Sequence, residues 1–243
     1  MQERGRLMLE EYLHIEREGQ SGSPRLSPGT GLPISDRDSL DSAVGLLANF
    51  YFRSNRSDWV KSVCESLKEA GHNAATIDRN LARALGELGS EEAENAFNEA
   101  IDRHGDSLTH TFFSSYLNKQ GREREAYEQS ELAVINATNT ARPTALYNLA
   151  ADILNHGYAR NADGEIASVD EDSALLLAIP VIAASVQYGD QSDREDAVGM
   201  LVRRNALVEA QAIAQGNQLP GDYNSAALDY ILKRINESGR TKI

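Results

Sequence analysis

Few side chains in this sequence have types and spacings suited to chemistry. The first candidate is a run of oxygen donors in YARNADGEIASVDED, residues 158–172, where Asn161, Asp163, Gly164, Ile166 and Asp170 fall at positions that a calcium-binding loop uses. Its first ligand position holds Ala159, however, and its terminal bidentate Glu is replaced by Asp170. With a primary carboxylate missing, the expectation is an exposed acidic hairpin or loop without useful calcium affinity. The single cysteine, Cys64, recurs at helical spacing with Trp59, Val60, Val63 and Leu67, a pattern that buries it. A thiol in apolar surroundings is a poor nucleophile, so Cys64 reads as core. The five histidines, His14, His72, His104, His110 and His156, form neither H-E-x-x-H nor a helical pair, and one cysteine supplies no zinc set. Three of them, His72, His104 and His156, fall near helix C-termini, where the dipole favours an imidazolium. No G-x-x-x-x-G-K, G-x-G-x-x-G or G-x-S-x-G occurs. The acidic runs Glu91-Glu92, Asp170-Glu171-Asp172 and Glu195-Asp196 open helices, where negative charge complements the dipole. The expectation is a chain with no catalytic residues, no metal and no cofactor.

The elements that would have to position any site are helical. Hydrophobic residues make up 41% of the chain and aromatics only 6%, with Ala and Leu dominant, a composition that favours helices over strands. A net charge of −13 repels phosphate backbones and disfavours broad nucleic-acid or anionic-membrane binding. One cysteine excludes an intramolecular disulfide. The charged N-terminus does not read as a signal peptide, and no apolar run approaches the roughly 18 residues of a membrane span, so the expected location is cytoplasmic.

Periodicity and breakers divide the chain in three. Residues 1–19 read as an N-terminal helix with Leu9, Tyr12 and Leu13 on its apolar stripe. Residues 20–36 are rich in Gly, Ser and Pro and read as a flexible linker. Residues 37–238 alternate helices with short turns, the helices falling over 37–54, 57–70, 74–88, 91–104, 107–120, 123–137, 143–156, 172–188, 192–204, 206–215 and 222–238. Gly71, Gly89, Gly105, Gly121, Gly157 and Gly189 stand near helix ends, as left-handed caps would. Residues 158–172 read as an insertion, and Pro180 should kink the apolar helix around it.

Three glycines, Gly89, Gly121 and Gly157, recur at a spacing typical of stacked helix–turn–helix repeats. The third pair carries the pattern best, with Phe113 and Leu117 on its first helix, Gly121 in the turn, and Ala126 and Ala133 on its second. The second pair offers Leu81, Ala82, Leu85 and Gly89, then Ala93, Phe97 and Ala100; the fourth offers Leu146, Leu149, Ala150, Ile153 and Gly157. The first pair is more diverged, with Val44, Leu47, Ala48 and Tyr51 before a polar turn lacking Gly. This pattern resembles the tetratricopeptide repeat, over residues 38–157 closely and 173–238 loosely. The 158–172 segment, with Asp170, Ala174 and the Ala183-Ala184 pair, loosely resembles the longer turns of Sel-like repeats.

The resemblance implies an all-α, right-handed superhelical solenoid of antiparallel helix pairs, with the N-terminal helix separate, whose concave groove binds a peptide or partner helix. Carrying the family's groove offsets onto this chain selects Asn49, Phe52 and Arg53 in the first repeat and Arg79, Arg83 and Glu87 in the second. The third contributes Thr111, Ser115, Asn118 and Lys119, and the fourth Tyr147, Ala151, Leu154 and Asn155. This list is locally basic in an acidic chain, which suggests a partner with an acidic segment or a C-terminal carboxylate. Alternatively, Arg79 and Arg83 pair with acids such as Glu87 or Glu125. The resulting expectation is a non-enzymatic adaptor or scaffold that binds protein. A structural subunit docking through its N-terminal helix is the alternative, and an RNA-binding helical repeat is disfavoured by charge.

Overall fold

The computed structural model describes residues 2–16, 22–27, 37–161, 163–221, 223 and 225–237. The chain divides into two compact units, Met1–Gly105 and Asp106–Ile243. The first contains α1 (Gln2–Tyr12), β1 (Ile15–Glu16), β2 (Arg25–Leu26), α2 (Arg37–Arg53), α3 (Ser57–Glu69), α4 (Ala75–Glu87) and α5 (Ala93–His104). The second contains α6 (Ser107–Lys119), α7 (Glu123–Ile135), α8 (Arg142–His156), β3 (Tyr158–Arg160), β4 (Ile166–Ser168), α9 (Glu171–Tyr188), α10 (Gln191–Arg203), α11 (Leu207–Gln215) and α12 (Ala226–Glu237). The fold is an all-α helical repeat, and its helix bounds follow the sequence periodicity closely.

In unit 1, helices α2 to α4 bury one continuous apolar cluster that includes Val44, Leu47, Tyr51, Trp59, Val63, Leu67 and Ile77. Cys64 lies inside it, and burial pushes its thiol up to about 12, in keeping with a core role. A polar staple complements the apolar core. The Asp78 carboxylate on α4 accepts from Lys68 Nζ at 2.6 Å, lies 3.0 Å from His104 Nε2, and pairs with Arg103, so one buried acid ties α3, α4 and α5 together. Burial alone would raise this carboxyl, but hydrogen bonds from Lys68, His104 and Arg103 hold it below the ordinary carboxylate value.

The N-terminal region departs from the sequence expectation. The helix expected over residues 1–19 ends at Tyr12, and His14 turns the chain with φ of 51°. Ile15 and Glu16 then pair antiparallel with Leu26 and Arg25. The Leu26 amide donates to Ser66 Oγ at 3.1 Å, and Ser27 Oγ donates to the His14 carbonyl at 2.8 Å. Within residues 22–27, part of the stretch read as a linker, the strand Arg25–Leu26 is therefore fastened to α3; residues 20–21 and 28–36 lie outside the described residues. Nor is α1 separate from its unit. Tyr51 OH donates to the buried Glu10 carboxylate at 2.6 Å, which also receives Arg6 Nη1 at 2.7 Å, and Leu13 is fully buried in the unit's core. One buried leucine and one buried glutamate decide this docking, and a compositional reading weighs neither.

In unit 2, α6–α7, α8–α9 and α10–α11 form antiparallel helix pairs, while α12 packs back on α7, α9 and β3. The small residues Ala126, Ala133, Ala150 and Ala178 are all buried, which lets paired helices approach closely. Helix α9 runs through Pro180 from Glu171 to Tyr188 and is apolar nearly all round, so tertiary burial sustains it despite the lost amide donor. Gly157 closes α8 at φ of 66°, where an added Cβ would stand 2.8 Å from the Val169 carbonyl oxygen. Gly189, by contrast, is not the left-handed cap expected from sequence: it is extended, and Asp190 behind it starts α10 through a capping box. In the first repeat, whose turn has no Gly, Asn55 takes the left-handed conformation at φ of 54°.

Candidate functional site

Each unit presents a face made by the first helices of its pairs, and the sequence-selected groove residues distribute unevenly over these faces. On α2, Asn49 and Arg53 are exposed. On α4, Arg79 is buried, with Nη2 donating to Thr76 Oγ1 at 2.9 Å. Five consecutive residues there, Thr76 to Asn80, are buried, so the start of α4 is enclosed all round instead of presenting one solvent stripe. The repeat offsets assume such a stripe, and for that reason they misplace Arg79 as a surface residue. Arg83 is half-buried, its guanidinium 3.9 Å from the centroid of the Phe52 ring. Burial lowers its pKa, against the opposing charge of Glu87. A basic strip of Arg79 and Arg83 thus reduces to one half-buried cation stacked on an aromatic face, beside the exposed Arg53.

In unit 2, Ser115 and Lys119 on α6 are exposed, as is Asn155 on α8, while Thr111, Asn118 and Tyr147 are half-buried. Thr111 Oγ1 donates to the Ser107 carbonyl within its own helix. Asn118 is used differently. Its Nδ2 donates to Asp152 Oδ1 at 3.0 Å, and the hydroxyls of Ser114 and Ser130 meet Asp152 Oδ2. One carboxylate thereby joins α6, α7 and α8 beneath the exposed row. Burial pushes the Asp152 carboxyl above its ordinary value, against these three hydrogen bonds. Asn155 Oδ1 accepts from Arg204 Nη2 at 2.6 Å, and Arg204 Nη1 lies 3.6 Å from Glu171, so the exposed row continues to the end of α10. The offsets did not select Asp152 or Arg204. The one acid in the stretch ALYNLAADILNH, flanked by Leu149-Ala150-Ala151 and Ile153-Leu154, was the available signal for the former.

The insertion at 158–172 is a β-hairpin, Tyr158 to Arg160 pairing antiparallel with Ser168 to Ile166. Arg160 holds it to the helices. Its guanidinium meets both oxygens of the buried Glu131 at 2.7–3.0 Å, donates to the Gly164 carbonyl at 2.8 Å, and lies 4.5 Å from the Tyr230 ring centroid. Between the hairpin and the start of α7 opens a cleft of about 870 Å³ lined by alternating charges, among them Arg122, Glu128, Arg160 and Glu165. The donors considered for calcium have other roles. Asn161 Oδ1 accepts the Asp163 and Glu165 amides, and Asp170 caps α9 by accepting from the Ser173 amide. Among the described residues, no group of three or more His, Cys, Asp or Glu is placed to hold a metal ion. Among the same residues, no helix is long and apolar enough to cross a membrane.

No family model matches the sequence, and no curated protein sequence matches it. Among solved structures, the fold is similar to that of the tetratricopeptide-repeat protein PilF of Pseudomonas aeruginosa, the subject of a functional characterization. The TM-score is 0.50 at 16% sequence identity, covering 84% of this chain and 86% of that one. At so low an identity the similarity speaks to the fold alone: this chain has a tetratricopeptide-like, all-α helical-repeat fold.

Proposed function

We propose that the chain is a non-enzymatic protein-interaction module whose recognition surface is the first-helix face of its repeats. The observation that carries the reading is the exposed polar row Ser115, Lys119 and Asn155, backed by the half-buried Asp152 that receives Asn118, Ser114 and Ser130. A rigid helical scaffold with an exposed hydrogen-bonding row over a satisfied polar layer suits recognition of an extended peptide or a partner helix. On the unit 2 face, the exposed cation Lys119 favours a segment with acidic side chains, through approach rate and selectivity more than through affinity. Tetratricopeptide-like folds typically bind partners and do not catalyse reactions, which supports a binding role.

Bulky substitutions test this. Ser115→Trp and Asn155→Trp should remove capture of the partner from the native source and leave helicity intact, whereas Glu128→Trp on α7 should leave capture unchanged. Loss with Glu128→Trp alone would move the surface to the second helices and sink the reading. A second reading is docking into an assembly through α1, which exposes Leu7, Met8 and Tyr12 at 52%, 63% and 45%. A change of Met8→Glu that dissociates the partner while the tryptophan variants do not would favour it.

A further inference from the structure

Unit 2 holds another opening. A cavity of about 400 Å³ lies between the C-terminal half of α9, the first turns of α10 and the end of α11. Arg194 stands in its wall, ten residues before Arg204 on the chain, so the two sites are roughly 15 Å apart along the helix axis. The rest of the wall is mixed: Ala183, Val186, Ile213 and Leu219 make an apolar side, and Gln187, Asn217 and Gln218 add amides. No residue lining it carries a negative charge, in a chain whose net charge is −13.

Arg194 is the informative member. Its Nε is buried and has no hydrogen-bond partner, and no carboxylate of the described residues pairs with the guanidinium. The neighbouring acids that could have paired with it are committed elsewhere. Asp190 accepts from the amides of Ser192 and Asp193, and Asp193 Oδ2 accepts from the Asp190 amide, forming the capping box of α10. Buried donors in native proteins are nearly always satisfied, so a buried guanidinium nitrogen without a partner beside an open cavity marks a place for an acceptor. A guanidinium fork matches a carboxylate in geometry and charge. The apolar side in turn favours an anion that carries hydrocarbon over a fully hydrated inorganic one. The volume falls in the range of small-molecule pockets, about 300–1,000 Å³.

We propose that this cavity binds a small organic monocarboxylate, the carboxylate on Arg194 with Gln187 as a further donor, and a short apolar tail against Val186, Ile213 and Leu219. The site is independent of the first-helix face, and its failure would leave that reading untouched.

Titration of the ¹⁵N-labelled chain with hexanoate tests it, with hexanol, acetate and hexylamine as comparators. Hexanoate should give saturable shifts at the Val186, Arg194 and Ile213 amides and at the Arg194 side-chain Nε–H. Hexanol lacks the charge and acetate lacks the tail, so each should bind at least about tenfold more weakly, and hexylamine should not bind. Arg194→Gln should weaken hexanoate by about tenfold or more while circular dichroism stays unchanged. Absence of saturable shifts, or hexanol binding as tightly as hexanoate, overturns the proposal without recourse to any variant. An Arg194→Gln chain that folds and keeps full hexanoate affinity overturns it as well.

Discussion

Replacing Asp78 with alanine should destabilise unit 1 by about 2–4 kcal/mol, and the structure shows where that comes from. The carboxylate is 4% exposed and receives Lys68, Arg103 and His104 from two flanking helices. The Lys68 and Arg103 side chains are 35% and 41% exposed, so both rehydrate when the acid is removed, and each interaction is worth about 0.5–1 kcal/mol. His104 is only 9% exposed and would be left without its acceptor, at about 1–2 kcal/mol. Loss of an acid from the first turns of α4 costs a few tenths more, about what alanine's higher helix propensity returns. The assay is urea unfolding followed by fluorescence of Trp59, the one tryptophan in the chain, which is buried in the same unit. With an m-value of about 2 kcal/mol/M the midpoint should fall by about 1–2 M, and by less for Asp78→Asn. The pH dependence has a definite sign. The folded value of Asp78 is depressed, so its stabilisation is present above the unfolded value near 4 and is lost as pH falls through the folded value. The gap between wild type and Asp78→Ala should therefore close as pH is lowered from about 5 towards 2. A midpoint shift under about 0.3 M at neutral pH, with unchanged m, would show that the cluster is solvated and refute the reasoning.

Other residues make further tests. Arg79→Glu should cost about 2–4 kcal/mol because it buries a carboxylate where a hydrogen-bonded guanidinium stood, whereas Arg83→Glu, at a half-buried site, should cost about 1 kcal/mol; thermal unfolding separates them. Arg160→Ala leaves Glu131 buried without its cation, with the Tyr127 hydroxyl still bonded to it, at about 3 kcal/mol, and amide exchange should accelerate in β3 and β4 before it does in α8. His110 is buried near Asp106 with Nδ1 2.8 Å from Gln129 Oε1 and Nε2 3.4 Å from Asn136 Nδ2; burial holds its pKa below the ordinary value, against Gln129 and Asp106. Its contribution is thus complete above about pH 6.5 and declines below it, and His110→Gln should flatten the loss of stability measured between pH 7.5 and 5.5.

The helices were legible in the sequence because their signals are local. Apolar residues recur at helical spacing, and Gly89, Gly121 and Gly157 mark left-handed ends that a side chain would strain. Asn55 performs the same turn without advertising it, since asparagine is common in many other settings. The β1–β2 pairing rests on contacts between residues 9 and 11 apart and on Ser66, which no periodicity encodes. The groove was less legible than the fold. Repeat offsets locate Ser115, Lys119 and Asn155 on the surface, yet they cannot see that the first half of α4 is enclosed, and so they place Arg79 on the wrong side of the solvent boundary. Asp152 and Arg160 act through partners 22 to 38 residues away, a range at which only the folded chain assigns a role.

The claim that the first-helix face is the recognition surface is tested most directly by cross-linking. A photoreactive phenylalanine analogue at Ser115 on α6 or Asn155 on α8 should yield a discrete adduct with one and the same partner in the native source. The same analogue at the exposed Asn98 on α5 or Glu128 on α7 should yield none. Adducts confined to Asn98 and Glu128, or appearing only from Met8 on α1, would contradict the account and place recognition on a different surface of the chain.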